Sequence, residues 1–562
     1  MSNQHNTSVG ALRPRRNQFD LSYRKNFTCD MGQLIPVVCD EAVPGDYFKI
    51  GNEVVIRFQP LAAPIMHEIY ATVHYFFVPY RILWDQWEDY ISQGLLSDGT
   101  PAIPIPTYQF PSVDQPTDLI GTLWDFFGFP IPGDVSGPVR GQMPIDFPWR
   151  AYNLVYNEYY RDQDLQEEVD FSNHHVLNRN WAKDYFTVSR PFRQKGVPPA
   201  LPVNIDISGP LSADWNYVDP NLPFLSGDRF LYLDPNQPGV NRWTGFGSGT
   251  FSRDNIPAVG GGNYFRALAQ DPGTLFPSSV QHNFKVDPNG VGLDLVRGLS
   301  VRSPTATATT FDVSDLRLAF QTQKWLERNA RAGTRYTEFL QSHFSVSPSD
   351  SRLQRPEYIG GTKQPVVISE VLQTSATSST AQGNMSGHGL SADGQFAGDY
   401  NVQEYGLIIG LLSVMPKPSY QNGINRQWLR RLPTDFYFPE FAHLSEQAIY
   451  QAEIAWDRGI TTDGIFGYIG QYDEMRTKHD MVCSEMRYLQ LPTGNRDQLS
   501  YWNLTRVLPQ NTRLNSEFIT CVPRKDVFLV NDVPGLIVNV ENLIHAVRPM
   551  PEIAEPGYID HY

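Results

Sequence analysis

From Glu53 the chain alternates, placing apolar Val54, Ile56 and Phe58 on one face, and from 69 to 78 it becomes apolar on both faces. Successive side chains of a strand point to opposite sides, so the first stretch predicts a half-buried strand and the second a fully buried one. Similar β-rich stretches recur far downstream at 518–522, 527–531 and 536–540. A sheet that gathers strands from both ends of a chain is what a closed jelly roll requires.

Helical stretches lie between the strand groups. Leu83, Trp84, Trp87, Tyr90 and Ile91 form one apolar stripe that Gly94 can close. Leu119, Ile120, Leu123, Trp124 and Phe127 repeat the pattern between Pro116 and Gly128. A third helix is expected over 148–160. A fourth is expected over 314–332, with Leu316, Ala319, Phe320, Leu326 and Ala330 inward and Gly333 at its end. These stripes fit ordinary packing better than a cofactor box. Residues 207–298 differ, holding thirteen Gly and nine Pro with few runs of either period. So long an irregular stretch implies a functional, disordered or partner-braced segment. A second polar stretch, 373–401, is rich in Ser, Thr and Gly, and no internal repeat is present.

At 562 residues the chain exceeds the size of a single simple core, so one large elaborated β domain or two to three packed units are expected. Charged residues are 19% and aromatics 13%, a balance that calls for broad contact with something other than water. The net charge of -15 argues against a chain that coats nucleic acid over its whole surface, because like charges repel. Residues 1–28 carry Arg13, Arg15, Arg16, Arg24 and Lys25 against the single acid Asp20, which predicts a loose basic arm able to neutralise phosphates locally. Cys29, Cys39, Cys483 and Cys521 show no disulfide-framework spacing, which fits a reducing cytoplasm. No apolar stretch follows the basic N-terminal residues, so export by a signal is not expected, and the apolar run 406–415 is too short to cross a bilayer. The sequons at Asn26, Asn384 and Asn503 are then chance matches.

No HExxH, EF-hand loop, Walker P-loop or GxSxG elbow occurs. The Gly245, Gly247, Gly249 cluster lacks the strand and helix that would aim amides at a phosphate. His67 and His74 are seven apart in one strand and so point to opposite faces, which excludes a shared metal. His174 and His175 carry no pattern. Asp162 and Asp164 fit a solvated helix end better than a cation site. No catalytic residue, metal site or cofactor is expected.

The stretch 349–361, SDSRLQRPEYIGG, resembles a signature of the major capsid proteins of gokushovirus-type small single-stranded DNA phages (Microviridae). It follows ERNARAGTRYTE at 327–338 in the expected order. WRAYNLVYNEYYRDQ from Trp149, KDYFTVSRPFRQKG from Lys183 and VRPMPEIAEPGYIDHY from Val547 stand around it. The resemblance implies an eight-stranded viral jelly roll with large helical and loop insertions, assembled as a T=1 icosahedral shell of roughly sixty copies. Its implied partners are further copies of itself, a circular single-stranded DNA genome, a small basic DNA-binding protein, a pilot protein, a scaffolding protein during assembly, and a host surface receptor. The virion is the implied location, with assembly in the host bacterial cytoplasm.

The segments then divide as a basic interior arm (1–30), jelly-roll strands with a helical insertion (31–206), a surface protrusion or threefold spike (207–298), helical insertions with the remaining strands (299–540), and a C-terminal arm (541–562). Trp243, Phe246, Phe251, Tyr264 and Phe265 are the expected host-attachment residues of the protrusion. One departure from the family pattern is the basic content of 190–196, where Arg190, Arg193 and Lys195 are either an additional inner DNA contact or a salt-bridged interface. Two other readings compete. A β-sandwich glycosidase or lectin should carry an export signal and a locatable carboxylate pair, and neither is found. A receptor-binding spike alone would not need strands and helices filling the rest of the chain.

Overall fold

The computed structural model describes residues 15–93, 103–109, 115–133, 142–199, 313–372, 385–457, 464–489 and 498–553, and the backbone of short strands between 205 and 308. The chain divides into two compact units, Met1–Pro198 with Gln323–Tyr562, and Pro199–Thr322.

The first unit is built on eight antiparallel strands: β1 (Tyr23–Cys29), β2 (Ile35–Ala42), β3 (Tyr47–Phe58), β4 (Ile69–Pro79), β5 (Glu357–Pro365), β6 (Met385–Asn401), β7 (Gly406–Pro416) and β8 (Leu536–Arg548). One sheet runs β1-β8-β3-β6, extended by Asn17–Asp20 beside β8 and Val367–Leu372 beside β6. The other runs β5-β4-β7-β2. First strand beside last, with the eight strands shared equally between two facing sheets, is the jelly roll that the period-two pattern implied.

The alternation explains the layers. Val54, Ile56 and Phe58 of β3 and Leu536, Val538 and Val540 of β8 point inward onto Ile69, Ala71 and Val73 of β4, forming the core between the sheets. The second sheet is covered on its other face too, where Phe76, Val78, Leu407, Ile409 and Leu411 pack on Trp149, Tyr152 and Val155 of the helix Phe147–Val155. This double cover is why the second half of β4 and nearly all of β7 are apolar on both faces. A third cluster gathers Phe186, Tyr420, Ile449, Ile454, Phe466 and Phe518.

Several expectations are corrected. Residues 516–519 are a helical turn, not the start of a strand, because the Asn515 side chain accepts from the amide of Phe518 as an N-cap. Residues 527–531 pair only through a single Leu61–Phe528 bridge. The polar stretch 373–401 contains β6, whose 17 residues make it the longest strand of the chain's described part. The Leu83–Ile91 stripe is two helices, Tyr80–Leu83 and Trp87–Gln93, with Trp84 extended between them. The next is a 3-10 turn Pro116–Leu119 and a helix Leu123–Phe126, separated by Gly121 at φ +76°. The fourth helix, Val313–Ala332, buries Leu326 and Ala330 but leaves Phe320 exposed. The basic arm is not loose beyond residue 16, since Asn17–Asp20 and β1 are sheet strands. The expected C-terminal arm begins as core strand, because β8 continues to Arg548.

In the second unit, Ile205–Asp206 pairs with Thr307–Ala308, and Ala213–Trp215 with Leu299–Val301, so two successive ladders hold its ends side by side. Phe251–Ser252, Asn263–Ala267 and His282–Val286 form a three-stranded antiparallel sheet.

Candidate functional site

The five basic residues expected to meet nucleic acid separate by strand geometry. Arg13 lies outside the described residues. Arg15 and Arg16 are exposed just ahead of the first strand. Arg24 and Lys25 are neighbours on β1 and so face opposite ways. Arg24 points outward, where its Nε and Nη2 both donate to Glu541 Oε2, at 3.0 and 2.7 Å. Lys25 is turned inward, where Nζ donates to the carbonyls of Pro36 at 2.8 Å and Phe126. Burial lowers its pKa to about 8. The ammonium is committed to two carbonyls of its own subunit.

Outward residues of β1, β3 and β8 line a shallow depression of about 690 Å³ around Arg24, Glu53, Arg57 and Glu541. Its two arginines and two glutamates balance in charge. The cationic character of the arm is confined to its part ahead of Asn17.

Arg190, Arg193 and Lys195 also divide. Arg190 exchanges backbone hydrogen bonds with Tyr468, donates from Nη2 to the Arg331 carbonyl, and has its pKa lowered by burial. Lys195 Nζ lies 2.7 Å from Thr334 Oγ1 and 3.6 Å from Asp164. Arg193 is exposed. Two of the three therefore serve contacts within the chain. Asp162 and Asp164 take Lys183, at 2.9 Å, and Lys195. With Arg161, Arg335 and Glu338 they line a cleft of about 350 Å³ in which both signs of charge are present. His67 Nε2 bonds the Lys417 carbonyl and His74 Nδ1 the Tyr160 hydroxyl, each with its own partner. Trp243 and Phe246 lie outside the described residues. Phe251, Tyr264 and Phe265 fall on the three-stranded sheet of the second unit, where Tyr264 and Phe265 pair with Lys285 and Phe284.

The stretches that carried the family resemblance are structural corners. In 349–361, Asp350 accepts from Arg355 Nε at 2.6 Å, and the Arg355 guanidinium lies 5.1 Å over the Tyr159 ring. Gly360 and Gly361 follow where β5 meets its neighbours most closely. A Cβ on Gly360 would lie 2.1 Å from the Ala397 carbonyl oxygen, and one on Gly361 would lie 2.7 Å from the His74 ring. In 327–338, Gly333 (φ +100°) ends the long helix, and Glu338 then accepts from the Arg335 amide.

Sequence reasoning passed over 427–444, QWLRRLPTDFYFPEFAHL, because it has neither period. Its signal was three successive aromatics between two prolines.

The match to known families covers nearly the whole of this architecture. A family model described as Capsid protein (F protein) matches residues 7–558. The chain belongs to this phage capsid protein family. Capsid protein VP1 of Chlamydia phage 1 is 32% identical, covering 97% of this chain and 96% of that one. Capsid protein VP1 of Bdellovibrio phage phiMH2K is 30% identical, over 99% and 98% of the two chains. Capsid protein VP1 of Spiroplasma virus 4 is 28% identical, over 96% and 95%. The gokushovirus resemblance drawn from the motifs fits these Microviridae-type relatives. As a capsid protein the chain is a structural component of a virion and assembles with copies of itself.

Proposed function

We propose that this capsid protein closes into a T=1 icosahedral shell of about sixty copies around a circular single-stranded DNA genome. The observation that carries the reading is the eight-stranded jelly roll, matched over nearly its whole length by phage capsid proteins. Within it, the arm ahead of Asn17 faces the genome through Arg13, Arg15 and Arg16, with Arg193 as a further contact. Arg24, Lys25, Arg190 and Lys195 hold the subunit together. Residues 207–298 form the outer protrusion and contact the host receptor, a role supported by the ladders that close the second unit at its base. A small basic DNA-binding protein, a pilot protein and, during assembly in the host cytoplasm, a scaffolding protein complete the particle. The chain itself has no catalytic role.

Electron microscopy of particles from cells making the chain with its assembly partners tests this reading. Closed spheres of one diameter with sixty-subunit symmetry are expected. Open sheets, tubes or a larger shell would overturn it.

A further inference from the structure

Residues 431–440 are ten consecutive exposed positions, Arg-Leu-Pro-Thr-Asp-Phe-Tyr-Phe-Pro-Glu, and they are held in place. Asp435 Oδ2 accepts from the amides of Arg431 and Leu432, both at 2.8 Å. The buried Tyr472 accepts at its hydroxyl from the Phe438 amide, 3.4 Å away, and donates to the Phe436 carbonyl at 3.3 Å. Its ring meets that of Tyr437 edge-on at 5.1 Å. Tyr472 adopts the left-handed conformation at φ +62°, a cost that the surrounding contacts must offset. Arg430 lies 5.3 Å over the Phe436 ring and reaches Glu474 at 3.3 Å.

The backbone is thus pinned, while each ring keeps about half of its surface in water. Trp428 is 69% exposed, Phe436 52%, Tyr437 51% and Phe438 43%; Leu432 and Leu444 flank them at 60% and 50%. At roughly 150–250 Å² per aromatic side chain, the four rings alone leave on the order of 400 Å² of apolar surface in water. That is about half of one partner's share of a standard protein interface, from a single segment.

We propose that 428–444 is an interface between copies of this capsid protein, docking on a second copy in the shell. The proposal rests on the capsid reading and names one of its contacts. Charge separates this occupant from nucleic acid. Arg426 and Arg430 are paired with Glu453 and Glu474, and exposed Arg431 is balanced by Asp435 and Glu440, so the segment lacks the basic groove that single strands need beside stacking rings. Aromatic enrichment with few uncompensated charges is the composition of an interface core. Left uncovered on finished particles, the same rings would drive them together.

The test replaces Phe436, Tyr437 and Phe438 together with Ser in the full chain, produced with its assembly partners. Free subunits with unchanged circular dichroism and a thermal midpoint lowered by no more than a few degrees, and particle yield reduced at least tenfold, are expected. Particles at the parental yield would overturn the interface while leaving the capsid reading intact. Shells that form but fail to adsorb to host cells, or that form without DNA, would overturn it equally by assigning the patch to a receptor or to the genome. A parent chain that forms no closed shell would sink the capsid reading itself. A second variant guards against misfolding of the first. Cys483 is the exposed cysteine, Cys29 and Cys521 are buried and Cys39 is half-buried. On a Cys483→Ser background, Tyr437→Cys therefore offers one reactive thiol for a photo-crosslinker. Two-chain adducts in assembled particles are expected; adducts only within one chain, or only to DNA, would overturn the proposal.

Discussion

Asn52 on β3 and Tyr75 on β4 join the two sheets through the core, with Asn52 Nδ2 donating to the Tyr75 hydroxyl at 3.0 Å and also to Thr362 Oγ1 of β5 at 3.0 Å. All three residues are buried. Removing the amide leaves two hydroxyls short of a partner where water does not reach, so Asn52→Ala should cost about 2–4 kcal/mol. Urea unfolding of the free subunit measures this. A change under ~0.5 kcal/mol would show that the sandwich does not depend on this polar bridge.

Gly360 gives a sharper steric expectation. The backbone oxygen of Ala397 occupies the place of its missing Cβ, and a carbonyl cannot rotate away as a side chain would. Gly360→Ala should destabilise by about 1–3 kcal/mol or more, as overpacking does. The same denaturation experiment checks it, and a neutral result would mean that β5 and β6 separate easily.

His74 sets a pH response. Burial lowers its pKa from 6.5 to about 4, with Arg179 adding to the effect. Between those values the unfolded chain binds a proton that the folded chain does not, so stability rises with pH across the window and is lost as pH falls from 6.5 towards 4. His74→Asn keeps a polar group near Tyr160 and does not titrate. It should flatten the pH dependence by an amount on the order of 2 kcal/mol. Parallel slopes for the two proteins would contradict the assignment.

The arm separates binding from folding. Replacing Arg13, Arg15 and Arg16 with Gln should lower the slope of log affinity against log salt for single-stranded DNA by about 2, at roughly 0.7 per phosphate neutralised. Arg24→Gln should leave that slope unchanged. Lys25→Gln should lower subunit stability, since Pro36 and Phe126 lose their donor. A fall in slope from the Lys25 variant alone, with stability intact, would reverse the division.

The ladders of the second unit make it excisable. Trp215 and Leu299 are direct partners, so a tight two-residue turn can join them and remove 216–298. Shells should still form and host adsorption should be lost. Particles that adsorb normally would refute the receptor role, and a failure to assemble would make the unit an assembly element.

What could be read directly from the residues was the part where burial is one-sided or complete. Val54, Ile56 and Phe58 alternate because one face of β3 meets the core, and the 75–78 stretch of β4 is apolar on both faces because the helix Phe147–Val155 covers the second. β6 stayed hidden because Gly and Ser interrupt its few apolar residues and its pairing to β3 is supplied by backbone. Residues 518–522 misled because β-branched and aromatic residues there fill the third cluster from a capped helical turn. The basic arm misled for a related reason: counting charges does not reveal that Arg24 and Lys25 sit on opposite faces of one strand. The aromatic run 436–438 could have been noticed, but only solvent exposure separates it from a core segment.

β8 follows β1 in the sequence by some five hundred residues, yet it lies between β1 and β3 in their sheet. The strand pairing that holds β1 in its sheet is made to residues 536–542. Until residues 536–548 have been made, β1 and β3 hold two open strand edges facing an empty slot, and a product truncated before Leu536 cannot fill it. The fold thus makes its surfaces conditional on β8: a chain cut short of that strand cannot present the faces from which a shell is built, which protects a particle of many identical parts from incorporating such fragments.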